Sequence, residues 1–151
     1  MWLTLAFQHS ERIALGELLL TDGSRTGRKM PMVLVVDDDN VFRKHLRALF
    51  ERDGGFDVCV EARNGDEALA EIGRLPLNLA VVDSSLPDMD GFELAQKLRT
   101  IIPELPIFVM TSDYSVSIEK AALSSGIRAV FSKLDDLATL VANARAVCGI
   151  V

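Results

Sequence analysis

The sequence contains few of the residues that build thiolate, histidine or disulfide sites. Its 151 residues include two cysteines and two histidines. Cys59 lies far from Cys148, and His9 far from His45, so neither pair has the spacing of a zinc site. Two cysteines are too few for a disulfide-stabilised scaffold, and this usage fits a reducing cytoplasm. The two histidines also leave little material for a histidine-based catalytic triad.

Long apolar runs and an excess of basic residues are also missing. The apolar segment 2–7 is far shorter than a membrane span and follows no basic region, so the sequence predicts neither a transmembrane helix nor an ordinary secretory signal. The net charge is −6, and no cluster of Lys and Arg stands out in the folded part. We therefore expect a soluble, cytoplasmic protein that binds neither nucleic acid nor membranes directly.

The chain divides into a short extension and one domain. Residues 1–30 hold two short apolar segments, 2–7 and 13–20, followed by a polar and basic stretch typical of a linker. We interpret this extension as a weakly ordered tail or as upstream sequence wrongly included, and the alternative is a dimerising or docking arm. Residues 31–151 have the length and composition of one globular domain.

From Val33 onwards, apolar strands alternate with amphipathic helices five times. The predicted strands cover 33–36, 56–61, 79–82, 107–110 and 129–132. The second strand alternates apolar with polar residues, which is typical of a strand at the edge of a sheet. Strands and helices that alternate with short connections predict a parallel sheet with helices on both faces. The fold class is therefore α/β, a doubly wound five-stranded parallel sheet.

Polar side chains follow the four continuous apolar strands. These residues are Asp37 and Asp38, Asp83, Thr111 and Ser112, and Lys133. Because the carboxyl ends of parallel strands lie along one edge of a sheet, we expect these side chains to meet in one shallow cleft. Three neighbouring carboxylates repel one another unless they share a cation, and oxygen ligands suit Mg²⁺ or Mn²⁺. The sequence thus predicts a divalent metal site.

A carboxylate fixed beside such a metal can attack a phosphoryl group in line and form an aspartyl phosphate. Asp83, which precedes the turn bracketed by Pro87 and Gly91, is the candidate nucleophile. Lys133 and Thr111 fit the roles of the ammonium and the hydroxyl that bind phosphoryl oxygens. Each of these residues alone also fits an ordinary loop, turn or cap position, and it is their convergence that favours a function.

Four short segments carry these polar residues: VLVVDDDN at 33–40, LAVVDSSLPDMDG at 79–91, FVMTS at 108–112 and FSK at 131–133. In order and spacing they resemble the receiver domain of two-component response regulators. The resemblance covers Val33 to about Cys148. It implies a flavodoxin-like fold with strand order 2-1-3-4-5.

The resemblance also implies a role for each site residue. Asp83 matches the phosphoacceptor, and Asp37 and Asp38 match the acidic pair that holds Mg²⁺ together with Asp83 and the backbone carbonyl of Ser85. Thr111 and Lys133 match the residues that contact the phosphoryl group.

The implied protein is a non-enzymatic, stand-alone regulator in a two-component system or phosphorelay. A histidine kinase or a histidine phosphotransfer protein phosphorylates it, and it acts on a downstream protein that the sequence does not identify. Homodimerisation stays open.

Two residues depart from the family pattern. Val130 stands where the family usually has a Tyr or Phe that turns inward on phosphorylation, and valine has no ring to move. Leu134 stands where the family normally has a proline after a cis bond, so we expect a trans bond and a differently shaped loop. Tyr114 is the nearest aromatic residue that could offer a substitute contact, and the competing interpretation is an ordinary loop tyrosine.

Two alternative functions follow from the same residues. The segment VVDDDNVF at 35–42 also resembles the first motif of haloacid-dehalogenase-type phosphatases, with Asp37 as nucleophile and Asp39 as the second acid. The chain has no room for a cap and would leave Asp83 without a role. The other alternative is a receiver-fold interaction module that works without phosphorylation, which the missing ring at Val130 favours.

Overall fold

The computed structural model describes residues 29–135 and 137–151. The predicted extension over residues 1–30 lies almost entirely outside the described residues. Within them, Lys29 and Met30 belong to no helix or strand. The first strand begins at Met32, whose N–H donates to Asn78 Oδ1 at 2.8 Å.

Strands and helices alternate through the described part of the chain. They are β1 (Met32–Val36), α1 (Asn40–Asp53), β2 (Asp57–Ala62), α2 (Gly65–Glu71), β3 (Leu79–Asp83), α3 (Gly91–Ile101), β4 (Ile107–Thr111), α4 (Val116–Ser124), β5 (Ala129–Ser132) and α5 (Leu137–Val147). All strand pairs are parallel, and the sheet order is β2-β1-β3-β4-β5. The predicted fold class and strand order are confirmed, and β2 is an edge strand as its alternating pattern indicated.

The core consists of one apolar layer on each face of the sheet. Alternate residues of β1, β3 and β4 belong to opposite layers: Leu34 packs with the α2, α3 and α4 side, whereas Val33 and Val35 pack with the α1 and α5 side. All residues of β3 and β4 are buried. Burial on both faces explains why these strands are continuous apolar runs.

Polar caps fix where four of the helices begin. The side chains of Asp39, Asn64, Asp90 and Ser115 accept hydrogen bonds from backbone N–H groups in the first turns of α1, α2, α3 and α4. Such caps satisfy N–H groups that have no partner within the helix. They therefore define the loops that follow β1, β2, β3 and β4. Within the described residues, no helix is both long enough and apolar enough to cross a membrane.

Candidate metal and phosphoryl site

An open cleft of about 460 Å³ lies at the carboxyl edge of the sheet. It is lined by the last residues of β3 and β4 and by residues of the loops after β1, β3, β4 and β5: Asp38, Asp39, Asp83, Ser84, Ser85, Thr111, Ser112, Asp113 and Lys133. The loops reach this edge because all five strands run in the same direction. The side chains that the sequence places after four separate strands thus share one cleft.

Three carboxylates form the acidic centre of this cleft. One oxygen from each of Asp37, Asp38 and Asp83 can be chosen so that all three lie within 4.8 Å of one another. Asp37 and Asp83 are 3% and 6% exposed, whereas Asp38 faces solvent. Oxygen ligands in a partly open cluster are what Mg²⁺ requires, because it keeps several waters when it binds proteins. The residues present therefore fit this ion.

The Asp37 carboxylate is harder to ionise than a solvent-exposed aspartate. Burial raises the pKa of Asp37 above its ordinary value, and the neighbouring Asp83 carboxylate adds to the rise. Hydrogen bonds from Lys133 and from the Asp39 N–H, the latter at 2.8 Å, act in the opposite direction. Because the rise prevails, ionised Asp37 is destabilised when no cation other than Lys133 is nearby.

Lys133 supplies the positive charge that this cluster lacks. Its Nζ lies 2.7 Å from Asp37 Oδ2 and 3.0 Å from Asp83 Oδ2, and it sits 4.5 Å from the centroid of the Phe42 ring. Burial alone would lower the pKa of Lys133, but the hydrogen bonds to Asp37 and Asp83 outweigh it and raise the pKa. The ammonium group therefore stays charged and bridges the two buried carboxylates.

The loop after β3 is held tightly against the end of the strand. Ser85 N–H donates to Asp83 Oδ1 at 3.2 Å, and Gly91 N–H donates to the carbonyl of Ser84 at 2.8 Å. A Cβ at Gly91 would lie 2.0 Å from the carbonyl oxygen of Asp83 and 2.7 Å from Ser84 Cα. Only glycine fits there, because both contacts are with backbone. The first turn of α3 thus fixes the backbone that carries Asp83.

The same loop is tied to the neighbouring helix α2. The Asp88 carboxylate accepts hydrogen bonds from the N–H groups of Gly65 and Asp66, both at 2.9 Å. These hydrogen bonds, led by the one from Gly65, lower the pKa of Asp88. Asp88 thus joins the loop after Asp83 to the first turn of α2.

Thr111 and Ser85 take different positions at the cleft. Thr111 is 3% exposed and its Oγ1 accepts a hydrogen bond from Asp113 N–H at 3.0 Å. Its role is not that of a helix cap, because Ser115 caps α4. Ser85 also lines the cleft but is exposed, and its backbone pairs with that of Asp90.

The two residues that depart from the family pattern differ in burial. Val130 is buried in the layer covered by α2, α3 and α4. Leu134 is 86% exposed and Tyr114 is 42% exposed. No cis peptide bond occurs among the described residues, so the expected trans bond before Leu134 is confirmed.

One residue in contact with the site was not singled out from the sequence. Arg43, in the first turn of α1, is 7% exposed, and its Nη1 donates to the main-chain carbonyl of Asp37 at 2.7 Å. The signal was present, since Arg43, Leu46 and Phe50 follow one another at i, i+3 and i+7 on the buried face of α1. An arginine in that pattern is easily assigned to the surface, because buried arginine is rare.

Curated proteins similar to this chain include regulators and an enzyme. Response regulator MprA of Mycobacterium sp. (strain KMS) is 38% identical over 119 residues, which are 78% of this chain and 50% of that protein. Protein-glutamate methylesterase/protein-glutamine glutaminase 1 of Syntrophus aciditrophicus (strain SB) is 38% identical over 106 residues, 69% of this chain and 30% of that protein. The chain therefore spans half or less of the length of these relatives.

Solved structures share the fold along most of the chain. The receiver domain of the Francisella response regulator 1452 has a TM-score of 0.73 and 28% sequence identity, with 79% of this chain and 97% of that chain covered. A response regulator from Burkholderia pseudomallei, whose crystal structure has a phosphorylated aspartic acid, a calcium ion and citrate, has a TM-score of 0.67 and 28% identity, with 79% and 69% covered.

A sequence model of one family matches nearly the whole folded part of the chain. It is the model of the response regulator receiver domain, and it matches residues 33–145. That range begins within β1 and ends within α5, so it contains the whole cleft and every strand but the first residue of β1. The chain belongs to the response regulator receiver domain family.

Proposed function

We propose that this chain accepts a phosphoryl group on Asp83 in a Mg²⁺-dependent reaction and transmits the signal through contacts with other proteins. The observation that carries the proposal is the cluster of Asp37, Asp38 and Asp83 oxygens within 4.8 Å of one another. Receiver domains bind Mg²⁺ at an acidic pocket, and they interact with histidine kinases or phosphotransfer proteins. The phosphorylated aspartic acid in the Burkholderia relative supports the same chemistry here.

In this proposal, the carboxylates of Asp37, Asp38 and Asp83 and the backbone carbonyl of Ser85 hold Mg²⁺, with Mn²⁺ as a substitute. When bound, the ion withdraws charge from the phosphoryl oxygens. An Asp83 carboxylate oxygen attacks phosphorus as the bond from phosphorus to the donor's imidazole nitrogen breaks, and the imidazole leaves with the bonding electron pair. The product is an acyl phosphate on Asp83.

Lys133 and Thr111 bind the negatively charged oxygens of the phosphoryl group. The ammonium of Lys133 lies 3.0 Å from Asp83 Oδ2 before the reaction, so it is already at the carboxylate that becomes phosphorylated. Its raised pKa keeps it protonated, and it pairs with a phosphoryl oxygen once the Asp83 carboxylate has become an acyl phosphate. The hydroxyl of Thr111, at the end of β4, donates to a second phosphoryl oxygen.

The proposed partners are a histidine kinase or a histidine phosphotransfer protein upstream and an unidentified protein downstream. The receiver family is generally non-enzymatic, and the proposal assigns no enzymatic activity to this chain. It includes a cytoplasmic location and leaves homodimerisation open. Neither nucleic acid nor a membrane is a direct partner in it.

Two other functions compare less well with the site. A dehalogenase-type phosphatase would need Asp39 as a free acid, yet its carboxylate caps α1 by accepting from the N–H groups of Val41 and Phe42. A phosphorylation-independent interaction module is favoured by Val130, which is buried in the core and has no ring to reorient. It leaves unexplained why Lys133 bridges two buried carboxylates.

Phosphorylation with a small phosphodonor tests the proposal. The protein is incubated with acetyl phosphate and Mg²⁺, and the label is mapped by mass spectrometry of peptides. We expect one phosphoryl group on Asp83, lost with EDTA and in Asp83→Asn. Asp88→Asn is the matched control, since Asp88 lies in the same loop but its carboxylate contacts α2, and this variant should be labelled.

Two results would point away from the proposal. A native protein that takes no label and binds no Mg²⁺ would favour the phosphorylation-independent module. Sustained hydrolysis of phosphomonoesters that is lost in Asp37→Asn would favour the phosphatase.

A further inference from the structure

Arg43 has an environment that its position on a helix does not explain. Its side chain is 9% exposed, and an arginine so buried needs partners for its charge and its donors. Nη1 donates to the carbonyl oxygen of Asp37 at 2.7 Å, Nε donates to Glu61 Oε1 at 3.2 Å, and Nη2 donates to Asn40 Oδ1. The guanidinium therefore joins the loop after β1 to the edge strand β2.

The carbonyl that Arg43 binds occupies a special place in the chain. It belongs to the peptide unit that links Asp37 to Asp38, two of the three acids of the cluster. Because a peptide unit is planar, rotation of that unit moves both acidic residues. The preceding peptide unit is held separately, since Asp37 N–H donates to the carbonyl of Ala62 at 3.0 Å. Arg43 thus holds the carbonyl of the unit between the two acids, while the Asp39 N–H holds the Asp37 side chain.

We propose that Arg43 is a positioning residue for the divalent cation: it contacts neither the ion nor the phosphoryl group, and holds the Asp37–Asp38 peptide so that both carboxylates face the cluster. The inference rests on the proposed function, because it concerns the Mg²⁺ of that same site. It deepens that function by assigning a part of the metal affinity to a residue outside the acidic cluster.

The direction in which Mg²⁺ affinity changes on loss of Arg43 distinguishes a positioning role from the effect of its charge alone. Arg43 carries a positive charge close to an acidic cluster, so its loss would by charge alone strengthen the binding of a cation. If Arg43 acts by holding the peptide, its loss weakens binding instead. Contacts that orient metal ligands typically contribute about 10-fold to 100-fold in metal affinity. The two explanations therefore predict changes in opposite directions.

Arg47 provides a matched control on the same helix. It lies one turn further along α1, and its guanidinium binds the same Glu61 carboxylate and also Glu51, at 2.7 Å from Glu51 Oε1. Its side chain is 43% exposed. Arg47→Met therefore removes a positive charge and a contact with Glu61, as Arg43→Met does, and leaves the bond from Arg43 to Asp37 in place.

The test is a calorimetric titration of the 151-residue chain and of each variant with Mg²⁺ at pH 7.5. The temperature is set below the one at which circular dichroism shows that unfolding begins. We expect Mg²⁺ affinity to fall about 10-fold in Arg43→Met and to change less than about twofold in Arg47→Met. Arg43→Lys keeps the charge but lacks the forked donors, so we expect an affinity at least about threefold below that of the native protein.

Each outcome decides the matter. Unchanged or tighter binding in Arg43→Met overturns the positioning role, as does an equal loss in Arg47→Met. If Arg43→Met does not fold, the affinity of Arg43→Lys decides, and a native value there overturns the inference. If the native protein binds no Mg²⁺, both this inference and the proposed function are overturned. If the native protein binds Mg²⁺ and is labelled on Asp83, but Arg43→Met binds Mg²⁺ with native affinity, only the inference is overturned.

Discussion

At Asp37, the carboxylate that the proposed metal site requires lowers the stability of the metal-free fold. Its carboxylate is buried next to that of Asp83, and a single ammonium group, from Lys133, bridges them. Burial and the second carboxylate raise its pKa. A smaller side chain in place of Asp37 could relieve the conflict, but it would remove a carboxylate from the cluster. The acid is thus retained at the expense of stability in the metal-free protein.

This conflict predicts an unusual pH dependence for the metal-free protein. Because the folded pKa of Asp37 lies above its unfolded value, the folded state takes up the proton first, and the free energy of unfolding rises as the pH falls through the folded pKa. The gain is complete near the unfolded value of about 3.9. Glu67 and Asp88, whose pKa values are lowered, act in the opposite direction at lower pH.

Urea unfolding in EDTA at pH 7, 6, 5 and 4 measures this dependence. We expect Asp37→Asn to be more stable than the native protein at pH 7, and the difference to shrink as the pH falls towards the unfolded value of Asp37. Asp38→Asn, which changes the solvent-facing acid of the same cluster, should leave the slope with pH in place. A stability difference between Asp37→Asn and the native protein that stays constant from pH 7 to pH 4 would contradict this assignment.

At the scale of elements, the close packing of α3 against the end of β3 predicts a strong effect of one methyl group. In Gly91→Ala, the added Cβ would lie 2.0 Å from the carbonyl oxygen of Asp83, so helix or strand must shift. We expect the free energy of unfolding to fall by about 2–3 kcal/mol, as for severe overpacking. Urea unfolding measures the change, and phosphorylation of Asp83 should slow as its backbone moves.

Gly73→Ala is the control for this substitution. A Cβ at Gly73 meets nothing within 4 Å, and its backbone is not in the left-handed region. The change in stability there should be within about 0.5 kcal/mol. Similar losses in both variants would mean that the contact with Asp83 is not the cause.

The elements also show what the sequence could and could not predict. Buried parallel strands are readable because every residue of β3 and β4 is apolar up to the terminal Asp83 and Thr111. Caps are partly readable, because an Asn followed three residues later by a Glu is typical of a helix start. Asn64 accepts from Glu67 N–H, but the Glu67 carboxylate binds the N–H of Arg63 rather than that of Asn64. The choice between adjacent N–H groups depends on loop geometry, which residue types do not encode.

Contacts between distant segments could be predicted from the sequence only in part. The convergence of Asp37, Asp83 and Lys133 follows from strand direction, so it could be predicted once the sheet was assigned. Two hydrogen bonds depend on how the helices pack against the sheet. One joins Arg43 to the Asp37 carbonyl, and the other joins Asp88 to the first turn of α2. The periodicity of apolar residues does not predict which side chains of neighbouring elements come within hydrogen-bond distance.

At the scale of the whole molecule, the site is a place where ligand binding and global stability are coupled. The acidic cluster draws on loops after β1 and β3, and Lys133 joins it from the end of β5, so a cation there connects strands across the sheet. An ion that binds only the folded state stabilises it in proportion to the logarithm of its concentration above Kd. It also removes the repulsion between the carboxylates.

We therefore expect Mg²⁺ to raise the free energy of unfolding of the native protein. At 10 times its Kd, the gain from binding is about 1.4 kcal/mol. For a domain of this size, that corresponds to a rise in Tm of roughly 3–6 °C. Differential scanning calorimetry with increasing MgCl₂ measures it, and the shift should grow by a constant amount for each tenfold rise in concentration above Kd.

Two controls separate the site from general effects of salt. NaCl at matched ionic strength screens surface charges equally, so it reports the share of the shift that does not need the cluster. In Asp83→Asn, one proposed ligand is missing and the repulsion between the Asp37 and Asp83 carboxylates is already relieved, so the metal-free variant should begin at a higher Tm and gain less from Mg²⁺. If Mg²⁺ and NaCl raised the native Tm equally, the ion would be acting on the whole surface, and the three carboxylates at the edge of the sheet would have to be explained without a metal.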